Sequence, residues 1–136
     1  MTKYDVLVNH TNHKSVNEQD PSRGWSEAQM GAALQLADEV IDLPFPVVNP
    51  RASSEDVVKQ AGQAINDLIN ELTGKSVAFL VQGEMSYVMS VVLLCKTIGV
   101  DCYVATSERN SIDLGNGKKT TVFNFVQFRK YPTDLI

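Results

Sequence analysis

Short apolar runs with β-branched residues alternate along the chain with segments of helical periodicity, and this alternation restricts the fold more than any other feature. Each run is bounded by polar residues and is too short for a helix, so it predicts a buried strand. The predicted strands are residues 4–8, 39–43, 76–81 and 100–105. Strands that alternate with helices favour a mainly parallel sheet with right-handed crossover connections.

Capping residues mark the predicted helices. Ser26 begins the first helix, and Ser26 and Gln29 have the spacing of a capping box, in which each side chain satisfies a free backbone donor of the other. Its apolar face is predicted to consist of Met30, Ala33, Leu34 and Ala37. The other two helices are predicted to run from Ser53 or Ser54 to Gly74 and from about Ser86 to Gly99.

The last third of the chain has a different pattern. Residues 112–114 and 120–128 resemble strands, and Gly115-Asn116-Gly117 lies between them. Asn-Gly between two such segments is a strong signal for a β-hairpin. We therefore expect one soluble α/β domain, residues 1–136, with a mainly parallel sheet, flanking helices and a C-terminal hairpin.

Composition excludes several classes of protein. Hydrophobic residues make up 43% of the chain and charged residues 21%, so a folded core is expected rather than disorder. The net charge of −4 argues against binding of long nucleic acids, which needs a basic face. No apolar run approaches a membrane span, and no signal-peptide core is visible, so we expect no membrane partner and a cytoplasmic location. Cys95 and Cys102 are predicted to be buried free thiols.

Polar segments follow three of the predicted strands, and ligands of parallel sheets bind beyond the carboxyl ends of strands. These segments contain the candidate ligand-binding residues Asn9, Thr11, Gln82, Gly83, Met85, Ser86, Thr106, Ser107 and Glu108. Trp25 and Ser26, at the start of the first helix, are further ligand-binding candidates. Gly83 permits a tight turn before a helix whose first N–H groups can hold an anion. We expect the three segments to converge on one site.

Three residues are candidates for catalysis. His10 can act as a general base, although a loop histidine without a chemical role is the alternative. Arg109 matches phosphate geometry, and a salt bridge to Glu108 or Asp113 is the alternative. Glu84 is a candidate acid or only a helix cap. His10 and His13 lack a clear third ligand, so no metal site and no cofactor are predicted.

The aromatic and methionine residues allow two interpretations. Trp25, the only tryptophan, either stacks on a base or fixes the start of the first helix beside Ser26, and the second interpretation is preferred. The residues expected to fill the core or a dimer interface are Met30, Met85, Met89, Phe123, Phe125 and Phe128.

Several short motifs together resemble one protein family. They are Asn9-His10, Trp25-Ser26-x-x-Gln29, Leu43-Pro44-Phe45-Pro46, Gly83-Glu84-Met85, Thr106-Ser107-Glu108-Arg109 and Phe125-Val126-Gln127-Phe128-Arg129. With these motifs the chain resembles the small CRISPR-associated ring nucleases, whose fold is CARF-like and Rossmann-type. The segment from His13 to Gly24 is longer than the family pattern, which puts the roles of His13 and Lys14 in doubt.

The resemblance implies a homodimer that binds a cyclic oligoadenylate of type III CRISPR defence, typically cyclic tetra-adenylate, across its two-fold axis. It also implies either sequestration of this messenger or its cleavage without a metal, by attack of a ribose 2′-hydroxyl on the adjacent phosphate. In that mechanism Arg109 and the Gly83 turn would hold phosphate, and His10 would be the base. A non-catalytic binder and an unrelated Rossmann-like enzyme for a nucleotide or sugar phosphate are the alternatives.

Overall fold

The computed structural model describes residues 2–135, which form one five-stranded sheet and three α-helices. The strands are β1 (Tyr4–His10), β2 (Ala37–Asp42), β3 (Val77–Val81), β4 (Asp101–Asp113) and β5 (Lys119–Lys130). The helices are α1 (Glu27–Leu36), α2 (Ser54–Glu71) and α3 (Met85–Thr97), and short 3-10 turns occupy Pro21–Arg23 and Thr133–Leu135. The order in the sheet is β2-β1-β3-β4-β5.

The first four strands pair in parallel, and only β5 runs antiparallel to its neighbour β4. The prediction of a mainly parallel α/β sheet with a C-terminal hairpin is therefore confirmed. Because β1 lies between β2 and β3, the chain crosses to one side of β1 and then to the other. The carboxyl ends of β1 and β3 therefore border a crevice where the strand order reverses.

Helices cover both faces of the sheet. The face packed by α2 and α3 contains Val6, Val8, Val57, Ala61, Ile65, Leu68, Val77, Phe79, Val81, Tyr87, Val91, Cys95 and Cys102. The face packed by α1 contains Tyr4, Leu7, Ala33, Ala37, Ala78, Leu80 and Tyr103. Successive residues of β1 and β3 thus alternate between two apolar layers, as expected for strands buried on both sides.

Ser26 and Ser53 are confirmed as helix caps, since Ser26 Oγ accepts a hydrogen bond from the Gln29 N–H and Ser53 Oγ accepts one from the Asp56 N–H. Of the predicted capping box, the bond to Ser26 is observed between described residues and the return bond from the Gln29 side chain is not. The predicted end of α1 is wrong. Ala37 was placed on the helical face, but it begins β2 and is buried there. The helix ends here because Ala37 pairs with Tyr4 at the start of the parallel β1–β2 ladder, so backbone hydrogen bonds between strands replace those of a further helical turn.

Strands β1, β4 and β5 extend beyond their predicted ends. β1 includes Asn9 and His10, β5 runs from Lys119 to Lys130, and β4 continues to Asp113. Residues 106–110 were predicted to follow the fourth strand as a polar segment, and residues 112–114 were predicted as a separate strand-like part of the hairpin. Pairing with β5 provides hydrogen-bond partners along this polar stretch, so the strand persists without an apolar pattern.

The sulfur-containing residues divide into two groups. Cys95 and Cys102 are buried free thiols, as predicted. Met85 and Met89 are 85% and 62% exposed, so they do not fill the core, and their predicted alternative place in a dimer interface stays a prediction. Both lie one helical turn apart on the side of α3 that faces away from the sheet. Among residues 2–135, no helix has the length and hydropathy needed to cross a bilayer.

Candidate functional site

A cleft of about 840 Å³ opens at the carboxyl edge of the sheet, on the face that α1 covers. One wall is the loop before α1 together with the first turn of that helix, and the opposite wall is the base of the β4–β5 hairpin. Gln82 and Gly83, which follow β3, line it as well. The cleft therefore lies beside the crevice between β1 and β3, where a ligand of a parallel sheet is expected.

The structure brings half of the predicted site residues together and separates the others. The predicted residues that line the cleft are Thr11, Trp25, Ser26, Gln82, Gly83, Thr106 and Ser107. Those that do not line it are Asn9, His10, Glu84, Met85, Ser86, Glu108 and Arg109. Convergence of the three polar segments is thus observed, although not every residue in them faces the same space.

Asn9 holds the loop beside the cleft in place through hydrogen bonds of its side chain. Its side-chain amide donates hydrogen bonds to the His13 carbonyl and to the Asp42 carboxylate, at 2.7 and 2.9 Å. The Thr11 hydroxyl donates to the Asn9 side-chain oxygen at 2.8 Å. The Asp42 carboxylate also accepts from the Ser15 N–H at 3.2 Å. These bonds fix the start of a long polar loop to the ends of β1 and β2.

The far end of the same loop is fixed by its backbone. The Trp25 N–H donates a hydrogen bond to the Ser15 carbonyl at 3.0 Å. A Cβ atom on Gly24 would lie 3.2 Å from that carbonyl oxygen and 3.1 Å from the Asn17 nitrogen, so two backbone segments of the loop pack tightly at this glycine. The long insertion therefore has a defined shape at the mouth of the cleft.

Gly83 makes the turn between β3 and α3. Its φ is +156°, and a Cβ atom there would lie 2.4 Å from Cζ of Phe45. The Phe45 ring in turn contacts the Tyr87 ring, with centroids 5.0 Å apart. Gln82, the residue before it, accepts a hydrogen bond from the Ala105 N–H at 2.9 Å and so connects β3 to β4 where the cleft begins.

His10 lies on the opposite face of the sheet from the cleft. Its side chain is 1% exposed and packs among the rings of Phe45, Phe79 and Tyr87. Nδ1 is 2.8 Å from the Leu43 carbonyl, which can only accept, so Nδ1 carries a proton and donates it. Burial lowers the pKa of His10, partly offset by this bond. The predicted role as a base finds no support in this placement.

Glu84 caps α3. Its carboxylate accepts hydrogen bonds from the N–H groups of Ser86 and Tyr87, both at 3.0 Å, and from the Ser86 hydroxyl. The bonds from Ser86 are the main reason that the pKa of Glu84 is lowered. These contacts occupy two free donors of the first helical turn, so Glu84 has the capping role that was its alternative to catalysis.

An aromatic row borders the cleft. Trp25 and Phe128 have ring centroids 6.1 Å apart, and Phe128 and Phe125 have centroids 4.9 Å apart. Phe123, farther along β5, lies beneath the Arg109 guanidinium at 5.1 Å. Trp25 therefore fixes the entry to α1 against the sheet, and it also presents surface to the cleft.

Two arginines lie on this side of the molecule. Arg23, in the 3-10 turn before α1, lines the cleft, whereas Arg109 lies beside Phe123 on the hairpin. Within residues 2–135 neither arginine forms a salt bridge, so the predicted alternative for Arg109 is not observed. A guanidinium without a carboxylate partner is available to an anion.

Sequence reasoning missed Arg23, Phe123, Asn124 and Phe125 as cleft residues. The available signal for Arg23 was its place in a turn directly before the Ser26 cap, because residues there lie beside a helix N-terminus. His13, which the sequence left without a role, also lines the cleft. In the part of the chain that is described, no group of three or more His, Cys, Asp or Glu residues is arranged to hold a metal ion.

Comparison with known proteins gives one relationship. No curated protein matches the chain. Residues 5–129 match the family described as the uncharacterized protein MJ1673 family. This match covers every strand and α-helix from β1 to β5, apart from the first residue of β1 and the last of β5. The chain therefore belongs to the uncharacterized protein MJ1673 family.

Proposed function

We propose that the protein binds a cyclic oligoadenylate of type III CRISPR defence, with cyclic tetra-adenylate as the first ligand to test. The observation that carries this proposal is the composition of the cleft wall. It combines aromatic rings, the Arg23 guanidinium, and the amide and hydroxyl groups of Gln82, Thr106 and Ser107. Rings stack on bases, guanidinium groups bind phosphates, and amides and hydroxyls bind base edges and ribose.

We also infer that the sheet is Rossmann-like and of the CARF-like kind. The parallel order β2-β1-β3-β4 and the position of the cleft beside β1 and β3 support this assignment. The resemblance also implies a homodimer, in which the clefts of both copies contact a single ligand with repeated phosphates.

The net charge of −4 favours a local site over a broad one. Arg23 supplies the positive charge inside the cleft, and the backbone N–H groups at the start of α1 lie beside it. This arrangement suits a small number of phosphates held at fixed positions. It does not supply the many phosphate contacts that a long nucleic acid needs.

Cleavage is the second part of the proposal. A ribose 2′-oxygen attacks the adjacent phosphorus, the bond from phosphorus to the 5′-oxygen breaks, and the products carry a 2′,3′-cyclic phosphate and a 5′-hydroxyl. The proton leaves the 2′-hydroxyl and the 5′-oxygen gains one, so no redox partner or cofactor takes part. His13, the histidine that lines the cleft, is the side chain placed to move these protons.

The test is calorimetric titration with cyclic tri-, tetra- and hexa-adenylate, followed by product analysis with excess ligand. Arg23→Ala should weaken binding by about 1.5–3 kcal/mol, because a charge-assisted contact is lost. Arg51→Ala, which changes an exposed arginine outside the cleft, is the matched control and should leave affinity unchanged. Absence of binding to all three rings would refute the proposal.

Single-turnover kinetics test the cleavage step separately. His13→Ala should slow product formation by about 10²–10⁴-fold while affinity changes little. Cleavage by the wild-type protein should persist in EDTA. Tight binding without any product would mean that the protein sequesters the cyclic oligoadenylate. This outcome would refute the proposed cleavage and leave the proposed binding standing.

A further inference from the structure

The β4–β5 hairpin carries an exposed aromatic surface beyond the cleft. Cross-strand pairing places Arg109 opposite Phe123 and Ser107 opposite Phe125, so these four side chains share one face of the hairpin. Phe123 and Phe125 both line the cleft. The face is therefore continuous with the cleft and extends it along the hairpin.

Phe123 is unusually accessible for a phenylalanine, since 60% of its surface is exposed. The Arg109 guanidinium lies 5.1 Å from the centre of its ring and holds it in a cation–π contact. Together with Phe125 this ring forms an apolar surface along the cleft, and such surfaces are typical of ligand-binding grooves. A flat ring beside a guanidinium is suited to stacking on a nucleobase.

The charges on this face favour an anionic ligand. Along β4 from Ser107 towards the turn, this face carries Arg109 and hydroxyl side chains. The first carboxylate on it is that of Asp113, at the tip of the hairpin, where Lys119 is the cross-strand neighbour. Glu108 lies on the other face because it neighbours Arg109 in the strand. A phosphate can therefore approach Arg109 without meeting a carboxylate of the hairpin on the way.

We propose that Phe123 and Arg109 form a second nucleotide subsite on the hairpin, so that tight binding requires a ligand of two or more linked nucleotides. This inference rests on the proposed function. We call the part of the cleft that Trp25 and Arg23 border the inner cleft. Residues two apart on a strand lie about 6.8 Å from each other, so Phe125 and Phe123 offer successive platforms to an extended chain of bases. A mononucleotide occupies the inner cleft only.

The experiment compares adenosine monophosphate, the linear dinucleotide adenylyl-3′,5′-adenosine and cyclic tetra-adenylate. Fluorescence of Trp25, the single tryptophan, reports ligand in the inner cleft. Phe123→Ala should weaken binding of the dinucleotide and of the ring by about 5- to 150-fold, the usual loss of one stacked base, and should change binding of the monophosphate by less than twofold. Phe123→Tyr, which keeps the ring, should restore affinity.

Two further variants separate stacking from general damage to the hairpin. Arg109→Lys keeps the charge and loses the planar group, so it should fall between Arg109→Ala and the wild type. Ile112→Ala removes an exposed apolar side chain from the other face and should leave all affinities unchanged. Equal losses in Ile112→Ala and Phe123→Ala would overturn the proposal, as would unchanged dinucleotide binding in Phe123→Ala.

The remaining outcomes distinguish this subsite from the proposed function. Binding of cyclic tetra-adenylate that does not depend on Phe123 overturns the subsite and leaves the proposed function standing. Binding of the dinucleotide that depends on Phe123, with no binding of any ring, supports the subsite and refutes the cyclic ligand. If light scattering shows that the wild-type protein is a dimer without ligand and that Phe123→Ala is not, the Phe123 side chain belongs to a protein interface, and the subsite is overturned.

Discussion

The Tyr87 hydroxyl donates a hydrogen bond to Nε2 of His10, 2.7 Å away, in the apolar layer between the sheet and α3. Because Nδ1 of the same ring donates to the Leu43 carbonyl, both ring nitrogens are satisfied by one neutral tautomer. Burial raises the pKa of Tyr87 to about 12, so its hydroxyl remains protonated and able to donate. The pair connects β1, α3 and the segment that follows β2.

His10→Ala should reduce stability more than it affects ligand binding. The substitution leaves a cavity beside Phe45 and removes the acceptor of the Tyr87 hydroxyl, so we expect a loss of about 2–4 kcal/mol in the free energy of unfolding. Urea denaturation measures the loss. Cleavage by the folded fraction should stay within a few-fold of wild type, and a drop of 10²-fold or more would return His10 to a catalytic role.

The same histidine should make stability depend on pH. Its pKa in the folded protein is lowered from the ordinary value of 6.5, chiefly by burial, so the unfolded chain takes up a proton first as the pH falls. The contribution is complete above about pH 6.5 and is lost below it, at up to about 1.4 kcal/mol per pH unit. Unfolding curves between pH 7.5 and pH 5 should show this slope, and His10→Gln should show none. An equal slope in both proteins would contradict the assignment.

Gly83→Ala should destabilise the protein. The new methyl group would overlap the Phe45 ring, which cannot move freely because it packs against Tyr87 and His10. We expect a cost of about 1–3 kcal/mol, measured by urea denaturation. The matched control is Gly31→Ala in the exposed middle of α1, where no atom lies within 4 Å of the added group. That change should stabilise by about 0.5–1 kcal/mol.

Asp42→Ala should loosen the loop that forms one wall of the cleft. The carboxylate accepts from Asn9 and from the Ser15 N–H, so its removal frees the loop at both points. Faster amide exchange at Ser15 and weaker ligand binding are the expected results. Asp38→Ala on the same strand, where the side chain accepts a hydrogen bond from the Thr2 hydroxyl, is the control. Unchanged exchange at Ser15 would show that the loop keeps its shape without Asp42.

The elements predicted from sequence were those with strong local signals. The apolar runs of β1 and β3 and the caps Ser26 and Ser53 placed their elements within a few residues. Elements that depend on distant partners were misjudged. Residues 106–111 lack an apolar pattern and are held in β4 by pairing with β5, which is specified elsewhere in the chain.

The prediction of the site was likewise correct where the sequence signal is local and wrong where the position of a residue depends on distant parts of the chain. The carboxyl ends of the strands were identified from the sequence, and seven of the fourteen predicted residues line the cleft. Which side of the sheet each residue faces depends on strand length. Because β1 continues through Asn9 and His10, Asn9 supports the loop beside the cleft whereas His10 enters the other layer. Arg23 was missed because its position depends on the folding of a long loop.

The hairpin contains an irregularity whose effect reaches the cleft. Thr106 pairs with Gln127, but Ser107 pairs with Phe125, so Val126 is an extra residue in β5. Residues three apart on a regular strand face opposite sides, yet the rings of Phe125 and Phe128 are 4.9 Å apart. Pairing of β5 without this bulge would therefore turn Phe125 and Phe123 to the far side of the hairpin, although every aromatic residue would remain in the sequence. The side to which Phe123 and Phe125 point is thus encoded by a backbone irregularity at Val126 and not by the chemical identity of the two rings.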